Sequence, residues 1–126
     1  MYFSLPGGSK SENSDNLSEE TLCYSFIVKK WVKAAGFNEP RLHFGCTLIN
    51  NQIWIAGGQG KNNALIGSIE FYEPESNVWT TLKKLKLPRK NLFLNSLDGK
   101  LFMIGGDCGN NSILKNVTCY DLENKK

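Results

Sequence analysis

The chain repeats itself with a period of 48 residues. Arg41 recurs as Arg89, Gly57-Gly58 as Gly105-Gly106, and Tyr72 as Tyr120. The frame also runs backwards, from Tyr72 to Tyr24, from Trp79 to Trp31, and from Pro88-Arg89 to Pro40-Arg41. A fixed period of about 20–50 residues marks a repeat architecture, in which each unit buries its apolar face only against a neighbour. In 126 residues there is room for one whole unit and parts of two others.

The whole unit, 41–88, resolves into four short strand candidates: His43–Ile49, Gln52–Ala56, Ile69–Tyr72 and Val78–Leu82. Asn50-Asn51, the loop Gln59–Asn63 and the stretch Glu73–Asn77 separate them. β-Branched and aromatic residues fill the runs and turn formers bound them, which is the strand pattern. Four such strands in simple order predict an antiparallel meander.

The next unit repeats the pattern with Leu92–Leu97, Lys100–Ile104 and Val117–Tyr120. Asp98-Gly99 between the first two suits a tight hairpin, because both residues tolerate positive φ. The Trp due at position 127 falls one residue past the last. In the first unit, Met1–Pro6 reads as the end of a second strand, followed by Gly7-Gly8. The polar, acidic stretch Ser9–Glu20 makes its loop two residues longer than that of the middle unit, and the most mobile part expected.

Paired glycines after an apolar strand, then Tyr, then Trp seven residues on, then Pro-Arg, resemble the kelch repeat. Gly57-Gly58, Tyr72-Glu73-Pro74, Trp79 and Pro88-Arg89 carry the match. Gly105-Gly106, Tyr120-Asp121, Tyr24, Trp31 and Pro40-Arg41 extend it over nearly the whole chain. The resemblance implies an all-β fold of kelch-type β-propeller blades, each a four-stranded antiparallel sheet around a central channel. About two and a half blades are expected. Residues 1–40 form a partial blade with the end of the second strand, the long loop and the third and fourth strands. Residues 41–88 form a complete blade, and 89–126 a partial one lacking its fourth strand. Consecutive glycines allow close sheet-to-sheet approach, and Tyr and Trp fill the wedge between blades. Arg41 and Arg89 are expected to bridge backbone carbonyls between blades. Tyr24, Trp31, Arg41, Gly57, Gly58, Tyr72, Trp79, Arg89, Gly105, Gly106 and Tyr120 thus read as structural signature.

Catalysis finds little material. His43 is the one histidine, so neither an imidazole metal cluster nor a set of copper ligands like that of kelch-like oxidases can be assembled. The expectation is no enzyme, no cofactor and no metal. Cys23, Cys46, Cys108 and Cys119 lack close metal spacing, and Cys46 and Cys119 occupy places suited to small buried residues. With 15 basic against 12 acidic residues the net charge is only +3, so no nucleic-acid or membrane partner is expected. The basic run Lys83–Lys90 reads as a solvated link, and the three Asn-x-Ser/Thr sequons at Asn16, Asn110 and Asn116 as coincidence. No apolar run approaches the roughly 20 residues that span a bilayer, and Met1–Gly8 lacks the regions of a signal peptide. A cytoplasmic location is expected.

Binding is the stronger reading. Variation between copies concentrates after the glycine pair and at the second residue after the signature Arg. Those positions hold His43, Gln59, Lys61 and Asn62 in one copy and Asn91, Asp107 and Asn110 in the next. In kelch-like ubiquitin-ligase adaptors the matching positions line one mouth of the propeller and contact a partner protein. Because Asn62-Asn63 and Asn110-Asn111 recur unchanged, these asparagines also fit the role of turn formers. The resemblance implies a protein-interaction module, part of the substrate-binding propeller of a kelch-like cullin-ubiquitin-ligase adaptor. The alternative it implies is an actin-binding cytoskeletal protein. No stretch read here encodes the BTB domain that recruits the cullin. Open blade edges would further favour self-association.

Overall fold

A computed structural model describes residues 2–6, 17–110 and 112–124 of the chain. The expected glycine pair Gly7-Gly8 and residues 9–16 of the acidic loop lie outside them. Among the described residues, strands fall into three antiparallel sheets, one per repeat. Blade 1 holds β1 (Tyr2–Pro6), β2 (Thr21–Ser25) and β3 (Lys30–Ala34) in that order. Blade 2 is a four-stranded meander of β4 (Gly45–Ile49), β5 (Gln52–Ala56), β6 (Ser68–Glu73) and β7 (Val78–Lys84). Blade 3 holds β8 (Phe93–Leu97), β9 (Lys100–Ile104) and β10 (Val117–Asp121). This is the blade arrangement of a propeller, three adjoining sheets in chain order.

Local chemistry sets the turns. Asp98 and Gly99 have φ of 48° and 70°, and Asn50 and Asn51 have 47° and 65°, the positive-φ pair that matches the twist of two adjoining strands. The first strand of blade 2 begins at Gly45, not His43. His43 takes φ of 55°, a left-handed conformation that breaks an extended run before it starts.

Blades pack face to face through the signature residues. Between blades 1 and 2, Tyr72, Trp79 and Ile55 pack with Cys23 and Phe37. The Trp79 indole N–H donates to the Ala35 carbonyl at 2.9 Å. Asn77 ties the same joint: its Oδ1 accepts from the Tyr72 hydroxyl at 2.9 Å and from the Ala35 amide at 2.8 Å. Between blades 2 and 3, Trp54, Ile69, Leu94, Met103 and Tyr120 form the second cluster. The innermost strands β4 and β8 approach so closely that a Cβ on Gly45 would meet the Leu94 Cβ at 2.7 Å.

Three sequence expectations need correction. Cys46 and Cys119 are exposed rather than buried. Cys46 stands one period before Leu94, which is buried because β4 lies against it. Cys119 stands one period after Phe71, which packs on the cluster shared with blade 3. Among the described residues nothing lies over either cysteine in the way that β4 covers Leu94 or blade 3 covers Phe71. The third correction concerns Arg41, whose guanidinium ties the entering link to its own blade rather than one sheet to the next: its Nε donates to the Glu39 carbonyl at 2.9 Å. Its Nη1 donates to the carbonyls of Gly57 and Ser68, at 2.9 and 3.1 Å. The backbone carbonyl of Arg89 does cross between blades, accepting from the Gly58 amide at 2.8 Å.

Candidate functional site

Alternating strand directions put the loops after the glycine pairs and the links between blades at one end of the array. Gln59 pairs through its backbone with Leu42 on one side and Leu65 on the other, and Asp107 pairs in the same way with Lys90 and Ile113. Each loop after a glycine pair is thereby held against the link that enters its own blade. The Asn91 amide donates to the His43 carbonyl at 2.7 Å, and the Lys90 ammonium donates to Gln59 Oε1 at 2.6 Å. These two bonds join neighbouring blades, so the rim is a continuous surface.

The seven rim candidates divide into two groups. His43, Lys61, Asn62, Asn91 and Asn110 are exposed. Gln59 is only 7% exposed, and both ends of its amide are engaged, since its Nε2 donates to Asn63 Oδ1 at 2.7 Å. Asp107 is half-buried and accepts from the Gly109 amide at 2.7 Å. Gln59 and Asp107 therefore shape the loops. Asn62, Asn63 and Asn110 all have positive φ, from 51° to 58°, which accounts for their recurrence: Asn tolerates the left-handed region better than most residues. His43 and Asn91, 48 residues apart, share φ of 55° and 53°, so their side chains are presented from equivalent turns on adjacent blades.

Beneath the rim lies a buried polar centre that the repeat pattern did not single out. Arg41 and Glu70 are both fully buried and form a direct ion pair. Burial holds the guanidinium below its ordinary range, and the carboxylates of Glu70 and Glu39 offset that shift only in part. The other Glu70 oxygen accepts from the Asn38 amide at 3.0 Å, which fixes the incoming link to the blade. In blade 3, Arg89 meets Asn116 Oδ1 and Thr118 Oγ1, at 3.1 and 3.4 Å, where blade 2 has Ser68 and Glu70. The arginine and its backbone partners recur, but its side-chain partners do not, so the period alone could not reveal the pair.

Sequence reasoning also missed a cleft of about 700 Å³ at the rim between blades 1 and 2. Leu17, Glu19, Glu20, Glu39, Lys61 and Ile66 are among its lining residues. Two of the carboxylates have partners: Glu20 accepts from Lys33 at 2.7 Å, and Glu39 from the Ser68 hydroxyl at 2.8 Å. The walls combine apolar and acidic surface, a combination suited to an amide- or amine-bearing side chain. No group of three or more His, Cys, Asp or Glu residues is placed to hold a metal among the described residues.

Comparison with known proteins agrees with this architecture. The family model described as the Kelch motif matches residues 40–86 and 88–126. An F-box/kelch-repeat protein of Arabidopsis thaliana is 30% identical over 86% of this chain and 31% of its own length. Beta-scruin of Limulus polyphemus is 30% identical over 79% of this chain and 12% of its own. Kelch-like protein 36 of Mus musculus is 30% identical over 95% of this chain and 20% of its own. The chain thus spans less than a third of the length of these relatives.

Proposed function

The chain belongs to the kelch-repeat family, whose repeats build protein-interaction modules, and from that premise we propose that it is part of the substrate-binding propeller of a kelch-like cullin-ubiquitin-ligase adaptor acting in the cytoplasm. The observation that carries this reading is the joined rim. His43 and Asn91 sit on equivalent turns of adjacent blades, the Asn91 amide donates to the His43 carbonyl at 2.7 Å, and exposed Lys61, Asn62 and Asn110 stand on the loops of the same end. A polar surface of this kind, rigid in backbone and varied in side chain, suits recognition of a partner protein. Relatives named F-box/kelch-repeat and kelch-like support the adaptor reading. The second reading is a cytoskeletal, actin-binding role, kept because the family resemblance implies it.

Affinity capture with quantitative mass spectrometry tests the proposal, comparing the chain with a His43→Ala/Lys61→Ala/Asn91→Ala variant. The expected result is a small set of proteins lost with the variant. Co-sedimentation with actin filaments, unaffected by the rim changes, would instead favour the second reading. Capture that is indifferent to the rim, with no filament binding, would contradict both.

A further inference from the structure

The turn joining β2 to β3 differs in kind from its counterparts. Its apex is Phe26-Ile27-Val28, with exposures of 51%, 79% and 56%. One period later stand Pro74-Glu75-Ser76, and one more brings Leu122-Glu123-Asn124. Two other exposed apolar residues, Trp31 and Val117, have a ready account in blade stacking. Trp31 stands one period before Trp79, and Val117 one period after Ile69, and both Trp79 and Ile69 are buried between blades. The apex has no such account. Glu75 and Ser76 remain exposed although blade 1 is packed against the Tyr72–Trp79 face of their blade. A preceding blade docked on blade 1 in the same manner would leave Ile27 and Val28 in solvent, and Phe26, whose counterpart Pro74 is half-buried, partly so.

Two further features mark this turn. Lys29 and Lys30 follow the apex directly, are exposed, and enter no ion pair among the described residues. Lys29 also holds φ of 53°, the position Asn77 fills in blade 2 with φ of 54°. A left-handed lysine is less favourable than the asparagine found there, and such departures gather at functional sites.

We propose that the β2–β3 turn docks on an anionic membrane surface. Phe26, Ile27 and Val28 enter the boundary between headgroups and acyl chains, and Lys29 and Lys30 meet lipid phosphates. Apolar residues backed by lysines are the chemistry of reversible interfacial binding. The shape favours a bilayer over a peptide ligand, because a convex apex offers no groove, whereas a lipid interface takes an apolar apex without a complementary shape. Glu75, Asp98 and Glu123 in the turns of the other blades at the same end confine the contact to the corner of blade 1. The expectation of no membrane partner rested on weak net charge and on the lack of a spanning run. Contact of this kind needs neither, and it leaves the rim at the opposite end free.

Flotation of the intact chain with phosphatidylcholine vesicles, with and without phosphatidylserine, tests the proposal. Binding should appear with phosphatidylserine and weaken as salt rises. It should fall about tenfold when the apex takes the sequence of its blade 2 counterpart, as Phe26→Pro/Ile27→Glu/Val28→Ser. Circular dichroism checks that this variant folds, and Lys29→Asn/Lys30→Gln serves if it does not. Lys29→Asn alone should raise the thermal midpoint while weakening vesicle binding. The control is Ile104→Ser/Val117→Ser on the open face of blade 3, which should leave binding unchanged. Equal binding to neutral vesicles, equal loss in the control, or no binding would overturn the proposal. So would an apex change that spares vesicle binding and abolishes capture of a protein partner.

Discussion

The backbone carbonyl of Arg89 accepts a 2.8 Å hydrogen bond from the Gly58 amide and fills the space where a Cβ on Gly57 would stand. The glycine pair of one blade is thus a seat for the link that enters the next. Gly105, the same residue one period later, has φ of 63° against 66° at Gly57, but a Cβ there would meet nothing nearer than the Leu114 carbonyl at 3.4 Å. Conformational cost is shared by the two positions, whereas close approach belongs to Gly57 alone. Gly57→Ala should therefore destabilise the chain by roughly 3 kcal/mol or more, and Gly105→Ala by about 1–2 kcal/mol. Urea unfolding of the two variants measures the difference, and equal losses would refute a seat made by the next blade.

The buried Arg41–Glu70 pair gives a second contrast. Removing the carboxylate leaves a buried guanidinium with carbonyl and hydroxyl partners and, as its one remaining counter-charge, the exposed Glu39 carboxylate at 3.5 Å, so Glu70→Ala should cost about 3 kcal/mol. Ser68→Asn/Glu70→Thr copies the surroundings of Arg89 and should cost less, because it restores neutral acceptors. The same denaturation experiment ranks them. A double variant as damaging as Glu70→Ala would show that blade 3 holds its arginine by other means.

Trp79 is 6% exposed and Trp31, one period earlier, is 48% exposed. Loss of a well-packed Trp leaves a large cavity, so Trp79→Ala should cost about 3–5 kcal/mol. Trp31→Ala should cost well under half as much in this chain. Fluorescence gives an independent check, since Trp31→Phe should remove the most red-shifted part of the emission and Trp79→Phe should not.

These contrasts show where the sequence was legible. The period, the antiparallel meander, the Asp98-Gly99 hairpin and the positive φ of the glycine pairs are local matters, written in residues that tolerate positive φ or that alternate along a strand. Burial was not legible for Cys46, Cys119 or Trp31, because it depends on which blade lies opposite, and that is not a property of the segment itself. The Glu70 partner of Arg41 was hidden for a related reason: blade 3 solves the same problem with Asn116 and Thr118, so nothing recurs at the period. At the rim, variability between copies picked out residues that the structure gathers at one end of the blades. It could not separate exposed His43 and Asn91 from Gln59, whose side chain is spent on Asn63 and Lys90.

Alkaline pH offers a test of the blade 1–blade 2 joint. Burial first, and then the neighbouring Cys23, raise the Tyr72 hydroxyl from 10.0 to about 12. A group whose folded pKa is raised contributes stability in full below its unfolded pKa and loses it as pH climbs to the folded one. Stability should therefore fall between about pH 10 and pH 12. Tyr72→Phe should flatten that fall while lowering stability at neutral pH through loss of the bond to Asn77. Denaturant midpoints measured across this range decide it, and an unchanged slope in the variant would remove Tyr72 from the account.

Hydrogen exchange with peptide-level mass spectrometry tests the central claim most directly, because stacking of one blade on the next predicts a gradient. Amides of β5 and β6, in the blade covered on both faces, should exchange slowest, and those of β3 and β10 should exchange markedly faster. Uniform protection across the three sheets, or slowest exchange in blade 1 or blade 3, would contradict an array held together by contacts between neighbouring blades.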